Sequence, residues 1–166
     1  MTGKRIKSFT KSYSEPILYL LVLLSVSLHK FLGIPNLSIL FLLFPLAFLE
    51  IRLLGDRWIF LWLFYPTAFL FFDALWLLGM TLSAFAEELF FRAYLMKRFS
   101  NLKVSLMFVI PHFILYPGIL SLLTFFPSLF FGFAYQKTRS LAFVSLLHLV
   151  SNLVYFKSAS NWSLFN

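Results

Sequence analysis

The sequence predicts an all-α fold, a polytopic transmembrane helical bundle of about seven helices with the N-terminus cytoplasmic. Three observations predict it. Hydrophobic residues make up 61% of the 166 and charged residues only 12%, against about half and about a quarter in soluble domains. The chain carries 24 Phe, 7 Tyr and 4 Trp, more aromatic surface than a soluble core of this size can hide from water. Apolar runs near membrane-crossing length also follow one another from residue 17 to residue 156, leaving little for loops. A mean hydropathy of +0.89 excludes a disordered chain. The absence of cysteine excludes disulfides, Cys-ligated zinc, iron–sulfur clusters and thiol nucleophiles.

A crossing takes about 20 mostly apolar residues, with about 17 as the lower end. The first run, residues 17–33, follows Lys4, Arg5, Lys7 and Lys11. A signal peptide has the same polarity, and Ser25-Val26-Ser27 offers a weak cleavage site. Equally apolar sequence follows, so the run is read as a retained first helix. Residues 35–49 form the second. Residues 58–78 and 80–96 form the third and fourth, with no obvious loop between them; Gly79, Asp73 and Pro66 are the candidate breaks, so six or eight helices also stay open. Residues 102–116, 119–135 and 141–156 complete the seven. Several are short, which calls for tilt, snorkelling Lys and Arg, or a thinned bilayer. No repeat or linker divides the chain, so residues 1–166 are expected to form one integral-membrane domain with its motif-bearing core at about 80–156.

The net charge of +8 follows from the same layout. Seven crossings put Lys4, Arg5, Lys7, Lys11, Arg52, Arg57, Lys97, Arg98, Lys103, Lys137 and Arg139 on the cytoplasmic side. Lys30 and Lys157 fall outside, and Arg92 lies within a helix. This is the positive-inside bias, with the basic loops facing anionic headgroups. The expected partner is the lipid bilayer, and no nucleic acid is needed.

Ionisable residues inside a bilayer are costly and mark function. Glu87, Glu88 and Arg92 lie in the fourth run, His112 in the fifth, His148 and Asn152 in the seventh, with Asp73 a further candidate. Glu88 and Arg92, at i and i+4, share a helix face and can pair. Glu87 is turned by about 100° and left without an intrahelical cation. Two adjacent carboxylates in low dielectric resist ionising together, the condition a general base requires. His148 and Asn152 also share a face, as either an interhelical hydrogen-bonding pair or part of a site. His112 follows Pro111, which frees a carbonyl in the preceding turn that a lone histidine could bond. Phe108 sits one turn before it. Depth joins them: an acid, a histidine and a His–Asn pair on three helices at comparable depth suit a site that holds water.

The patterns Glu87-Glu88-x-x-x-Arg92, Phe108-x-x-x-His112 and His148-x-x-x-Asn152 resemble the three signature motifs of the CPBP intramembrane proteases. That family includes the Rce1-like CAAX-prenyl endopeptidases and the bacterial Abi proteins. Leu89-Phe90-Phe91-Arg92-Ala93-Tyr94-Leu95 resembles the family's apolar-Phe-Arg-Gly-Tyr-Leu run, with Ala93 for the usual Gly. Gly132 to Leu141 resembles the approach to the third motif, with Arg139 at another common Gly position.

The resemblance implies a glutamate-dependent endopeptidase acting inside the membrane. Glu87 would be the base, deprotonating a water held between it and His112, while His148 and Asn152 would stabilise the oxyanion. Glu88, Arg92 and Phe108 would support them. Two His and a Glu could ligate zinc. There is however no HExxH pair, and an Asn partner suits an oxyanion hole better, so no metal or other cofactor is expected. The expected substrate is a membrane-anchored or lipidated protein or peptide, with trimming of carboxy-terminal sorting anchors at a bacterial inner (plasma) membrane favoured. That choice follows from the short chain and a slight lean of the histidines towards the outer side. The alternative is a non-catalytic immunity factor or scaffold of the same fold. A transporter is disfavoured because no inverted repeat or pair of broken helices occurs. Oligomeric state is not readable from the sequence.

Overall fold

The computed structural model describes the backbone of residues 2–47, 49 and 56–162, and the side chains of 14–47, 49 and 56–158. Arg52, the side chains of Lys4, Arg5, Lys7 and Lys11, and Phe48 in the second predicted run lie outside the described residues. Among the described residues the chain is all-helical with no strand. The α-helices are α1 (Thr2–Leu32), α2 (Ser38–Leu43), α3 (Ala74–Glu88), α4 (Asn101–Leu115), α5 (Ile119–Leu123), α6 (Phe125–Thr138) and α7 (Leu141–Trp162). A 3-10 turn, Phe44–Ala47, prolongs α2. A π-helical stretch, Leu89–Tyr94, and a 3-10 turn, Leu95–Lys97, prolong α3.

Seven α-helices agree with the number expected, though not one for one. Among the described residues, four helical stretches are long and apolar enough to cross a membrane: Ser14–Leu32, Ala74–Lys97, Ile119–Thr138 and Leu141–Ser158. The apolar helices Ser38–Ala47, Ile59–Leu70 and Asn101–Leu115 are shorter. Leu63, Leu70 and Leu75 are 78%, 80% and 81% exposed, which lipid tolerates and water does not.

The predicted boundary between the third and fourth runs is corrected. Gly79 lies inside α3 and Pro66 inside a 3-10 helix, while the break falls at Asp73. Asp73 is extended, with ψ 139°, and its Oδ1 accepts from the Trp76 N–H at 3.0 Å. A side-chain cap satisfies one orphan donor of the new helix and fixes its start. Asp73 is thus a cap and no part of the site.

The preceding segment is a 3-10 helix, Ile59–Leu70. At about 2.0 Å per residue its 12 residues reach about 24 Å, against about 18 Å for an α-helix. It runs alongside α7. Trp62 Nε1 donates to the Ala142 carbonyl at 3.0 Å near one end, and the Trp76 ring just past the other meets Phe156 edge-on at 5.5 Å.

Contacts between helix ends set the directions. Glu15 pairs with Arg98 at 3.6 Å, and Lys30 Nζ donates to the Leu115 carbonyl at 2.9 Å, so α1 and α4 run parallel. Asp56 Oδ2 accepts from Ser140 Oγ at 2.5 Å, tying the start of the 3-10 segment to the start of α7. Leu18, Tyr19 and Val22 of α1 pack with Leu42 of α2, Ala86, Phe90 and Phe91 around the end of α3, and Val104 and Phe108 of α4. A Cβ at Gly132 on α6 would strike Asn101 at the start of α4, whose Nδ2 donates to the Leu129 carbonyl at 2.9 Å. Helices in lipid associate through such close contacts.

Two local features yield tests. Pro111 frees the Met107 carbonyl one turn earlier, and the Tyr19 hydroxyl, not His112, takes it at 2.8 Å. Tyr19→Phe leaves that acceptor unsatisfied and should lower stability by about 1 kcal/mol, read as a lower unfolding temperature in detergent. Arg139 closes α6 in the left-handed conformation at φ 54°. Glycine there relieves about 1–2 kcal/mol of strain and loses about 0.5–1 kcal/mol to its greater unfolded-state entropy. Arg139→Gly should therefore raise the same temperature slightly, and β-branched Arg139→Val should lower it.

Candidate active site

α3 ends on the two acids, and the chain continues directly into the π-helical stretch that carries Arg92. Widened turns of this kind recur at functional sites. The spacing of Glu88 and Arg92 still brings them together: Arg92 donates from Nε to Glu88 Oε2 at 3.1 Å. Its Nη2 donates to Ser128 Oγ of α6 at 2.7 Å, and its guanidinium lies 5.8 Å from the Phe108 ring centre. Glu88 is fully buried and Arg92 nearly so.

The other oxygen of Glu88 reaches α7. His148 Nδ1 lies 2.9 Å from Glu88 Oε1. A carboxylate paired with arginine only accepts, so Nδ1 carries the proton. That leaves His148 Nε2 turned towards Glu87 Oε2, at 3.8 Å. Phe131 of α6 stacks on the His148 ring at 5.0 Å and 28°.

His112 repeats the arrangement from α4. Its Nδ1 donates to the Phe108 carbonyl at 2.8 Å, and its ring stacks on Phe108 at 4.3 Å. Its Nε2 lies 3.9 Å from the same Glu87 Oε2. That oxygen has no hydrogen-bond partner among the described residues. Three helices thus aim one carboxylate oxygen and two imidazole nitrogens at a common point. The separations exceed hydrogen-bond length and are of the size one shared small molecule bridges. Glu87 and His112 are 20% and 28% exposed, whereas Glu88, Arg92 and His148 are buried. Asn152, one turn beyond His148 on α7, is half-buried and makes no side-chain hydrogen bond among the described residues.

Residues 69–154, more than half of the chain, match the family described as type II CAAX prenyl endopeptidase Rce1-like. The chain belongs to this family. It is a protease family, and the apolar helices make this Rce1-like member an integral membrane protein. No characterised protein and no solved structure matches the chain. The matched stretch contains Glu87, Glu88, Arg92, Phe108, His112, His148 and Asn152.

In this Rce1-like chain the structure brings together Glu87, Glu88, Arg92, Phe108, His112 and His148. It leaves Asp73 as a helix cap and shows no side-chain bond from Asn152 to the others among the described residues. It also assigns the partners differently in one respect. Glu88, expected to pair with Arg92 and to support Glu87, also holds His148. Sequence reasoning missed Ser128 and Phe131, both on α6; a serine and a phenylalanine in an apolar helix carry no distinguishing signal. Glu87, His112 and His148 are of zinc-ligating type. However, among the described residues no group of three or more His, Cys, Asp or Glu is arranged to hold a metal ion.

Removing Arg92 strands a buried carboxylate. Arg92→Leu should cost about 3–5 kcal/mol, seen as a large fall in folded, detergent-soluble protein. Glu88→Leu/Arg92→Leu, which leaves no unpaired charge between them, should recover a substantial part.

Proposed function

We propose that the chain is an intramembrane endopeptidase that hydrolyses a peptide bond of a membrane-anchored or lipidated protein with water activated at Glu87. The supporting observation is the convergence of His112 Nε2 and His148 Nε2 on Glu87 Oε2 at 3.9 and 3.8 Å. A water bound there meets a base and two imidazoles whose tautomers are fixed at Nδ1. Glu87 takes its proton as the oxygen attacks the carbonyl carbon. The oxyanion that forms needs donors aimed at it, and the uncommitted amide of Asn152, facing the same way as His148, suits that role. As the C–N bond breaks, the proton passes from Glu87 to the leaving amine, releasing a carboxylate and an amine. Glu88 and Arg92 orient His148, and Phe108 orients His112. The partly exposed Glu87–His112 side is where substrate and water approach.

No metal takes part in this reading, and the N-terminus with most basic loops faces the cytoplasm of a bacterial plasma membrane. The substrates are proteins with a carboxy-terminal lipid or membrane anchor, sorting anchors among them. Protein in lipid, given a farnesylated CAAX peptide and a peptide ending in a single membrane anchor, should cleave at least one. Glu87→Gln and His112→Ala should each lower the rate by about 10²-fold or more, with the folded yield unchanged. Full activity in either variant would contradict the mechanism, and loss under strong chelation would contradict the metal-free reading. Failure of the wild type on both peptides would favour a non-catalytic scaffold.

A further inference from the structure

We propose that Ser128 of α6 is a positioning residue for His148, acting through Arg92 and Glu88. The proposal deepens the hydrolytic reading above and takes its functional meaning from it. The links are continuous: Arg92 Nη2 to Ser128 Oγ at 2.7 Å, Arg92 Nε to Glu88 Oε2 at 3.1 Å, and His148 Nδ1 to Glu88 Oε1 at 2.9 Å. His148 Nε2 then faces Glu87 at 3.8 Å. Ser128 and Glu88 have no exposed surface and Arg92 and His148 very little, so water does not substitute readily for a lost link.

Ser128 matters because Arg92 is otherwise weakly constrained. Its Nη1 has no hydrogen-bond partner among the described residues, so two bonds fix the guanidinium, one to Glu88 and one to Ser128. Without the Ser128 bond the guanidinium can turn about its contact with Glu88. The carboxylate is then free to rotate with it, and the acceptor that fixes the His148 tautomer is lost. A second observation places α6 in the same role independently. Phe131, three residues after Ser128 and on the same helix face, stacks on the His148 ring at 5.0 Å. One face of α6 therefore holds the imidazole plane directly and its proton indirectly. Supporting hydrogen bonds of this kind govern ring orientation where histidine does chemistry.

The test uses the whole protein, ¹⁵N-labelled at histidine, in detergent micelles, where only His29, His112 and His148 report. The wild type should show a protected Nδ1–H for His148. In Ser128→Ala its exchange should speed by about tenfold, with the His112 Nδ1–H unchanged and the unfolding temperature lowered no further than one lost buried hydrogen bond accounts for. Ser128→Thr, which keeps the hydroxyl, should restore protection. On whichever peptide the wild type cleaves, Ser128→Ala should lower kcat by about tenfold with KM unchanged. Unchanged His148 exchange in Ser128→Ala would overturn the proposal, as would a wild type without a protected His148 Nδ1–H. Loss of both histidine signals together with a larger fall in unfolding temperature would make Ser128 merely structural. Glu87→Gln assayed alongside separates the two readings: its retained activity sinks the hydrolytic mechanism, whereas the exchange result judges Ser128 alone.

Discussion

A carboxylate with no exposed surface, inside a bundle that itself sits in lipid, can stay charged only if both its oxygens are occupied. Glu88 meets that condition with an arginine on Oε2 and a histidine on Oε1. The two partners arrive differently, Arg92 from the next turn of the same chain and His148 from α7. One carboxylate therefore fixes a local turn and an inter-helix crossing at once. Ser128 draws in α6, and the Phe108 ring below the guanidinium draws in α4. Four helical segments meet on a single buried charge.

That arrangement makes the neighbouring acid available. Glu87 and Glu88 are adjacent in sequence but face different surroundings, because one residue of helix turns a side chain by about 100°. Glu88 is saturated. Glu87 keeps one oxygen without a hydrogen bond among the described residues and faces two imidazole nitrogens beyond hydrogen-bond length. A buried polar group left unpaired is normally eliminated because of its desolvation penalty. One that persists beside two histidines of fixed tautomer marks a candidate site for chemistry, as the proposed function has it.

How much of this was legible follows from the range of each interaction. The Glu88–Arg92 pair was readable because i and i+4 residues meet in a helix whatever the rest of the chain does, and the π-helical stretch did not separate them. The common face of His148 and Asn152 follows from the same rule. That Glu88 rather than Glu87 holds His148 was not readable, since it depends on how α3 crosses α7. The stretched helix before Asp73 was hidden because residues 59–70 are apolar on nearly every side and carry no period. Asp73 was one candidate break beside Gly79 and Pro66, and only the observed hydrogen bond to Trp76 decides between them. Arg139 stands at a common Gly position of the motif the sequence resembles, and the left-handed backbone there supplies a reason for glycine at that position.

The unequal treatment of two adjacent acids is the feature on which site and fold both turn, and it can be measured without any substrate. Unfolding free energies of Glu87→Gln and Glu88→Gln, determined side by side in the same detergent, test it most directly. Neutralising Glu88 leaves Arg92 buried without its counter-ion and should cost about 3 kcal/mol or more, whereas neutralising Glu87 should leave stability within about 0.5 kcal/mol of the wild type. Equal losses, or a larger loss at Glu87, would contradict the division of roles between the two carboxylates.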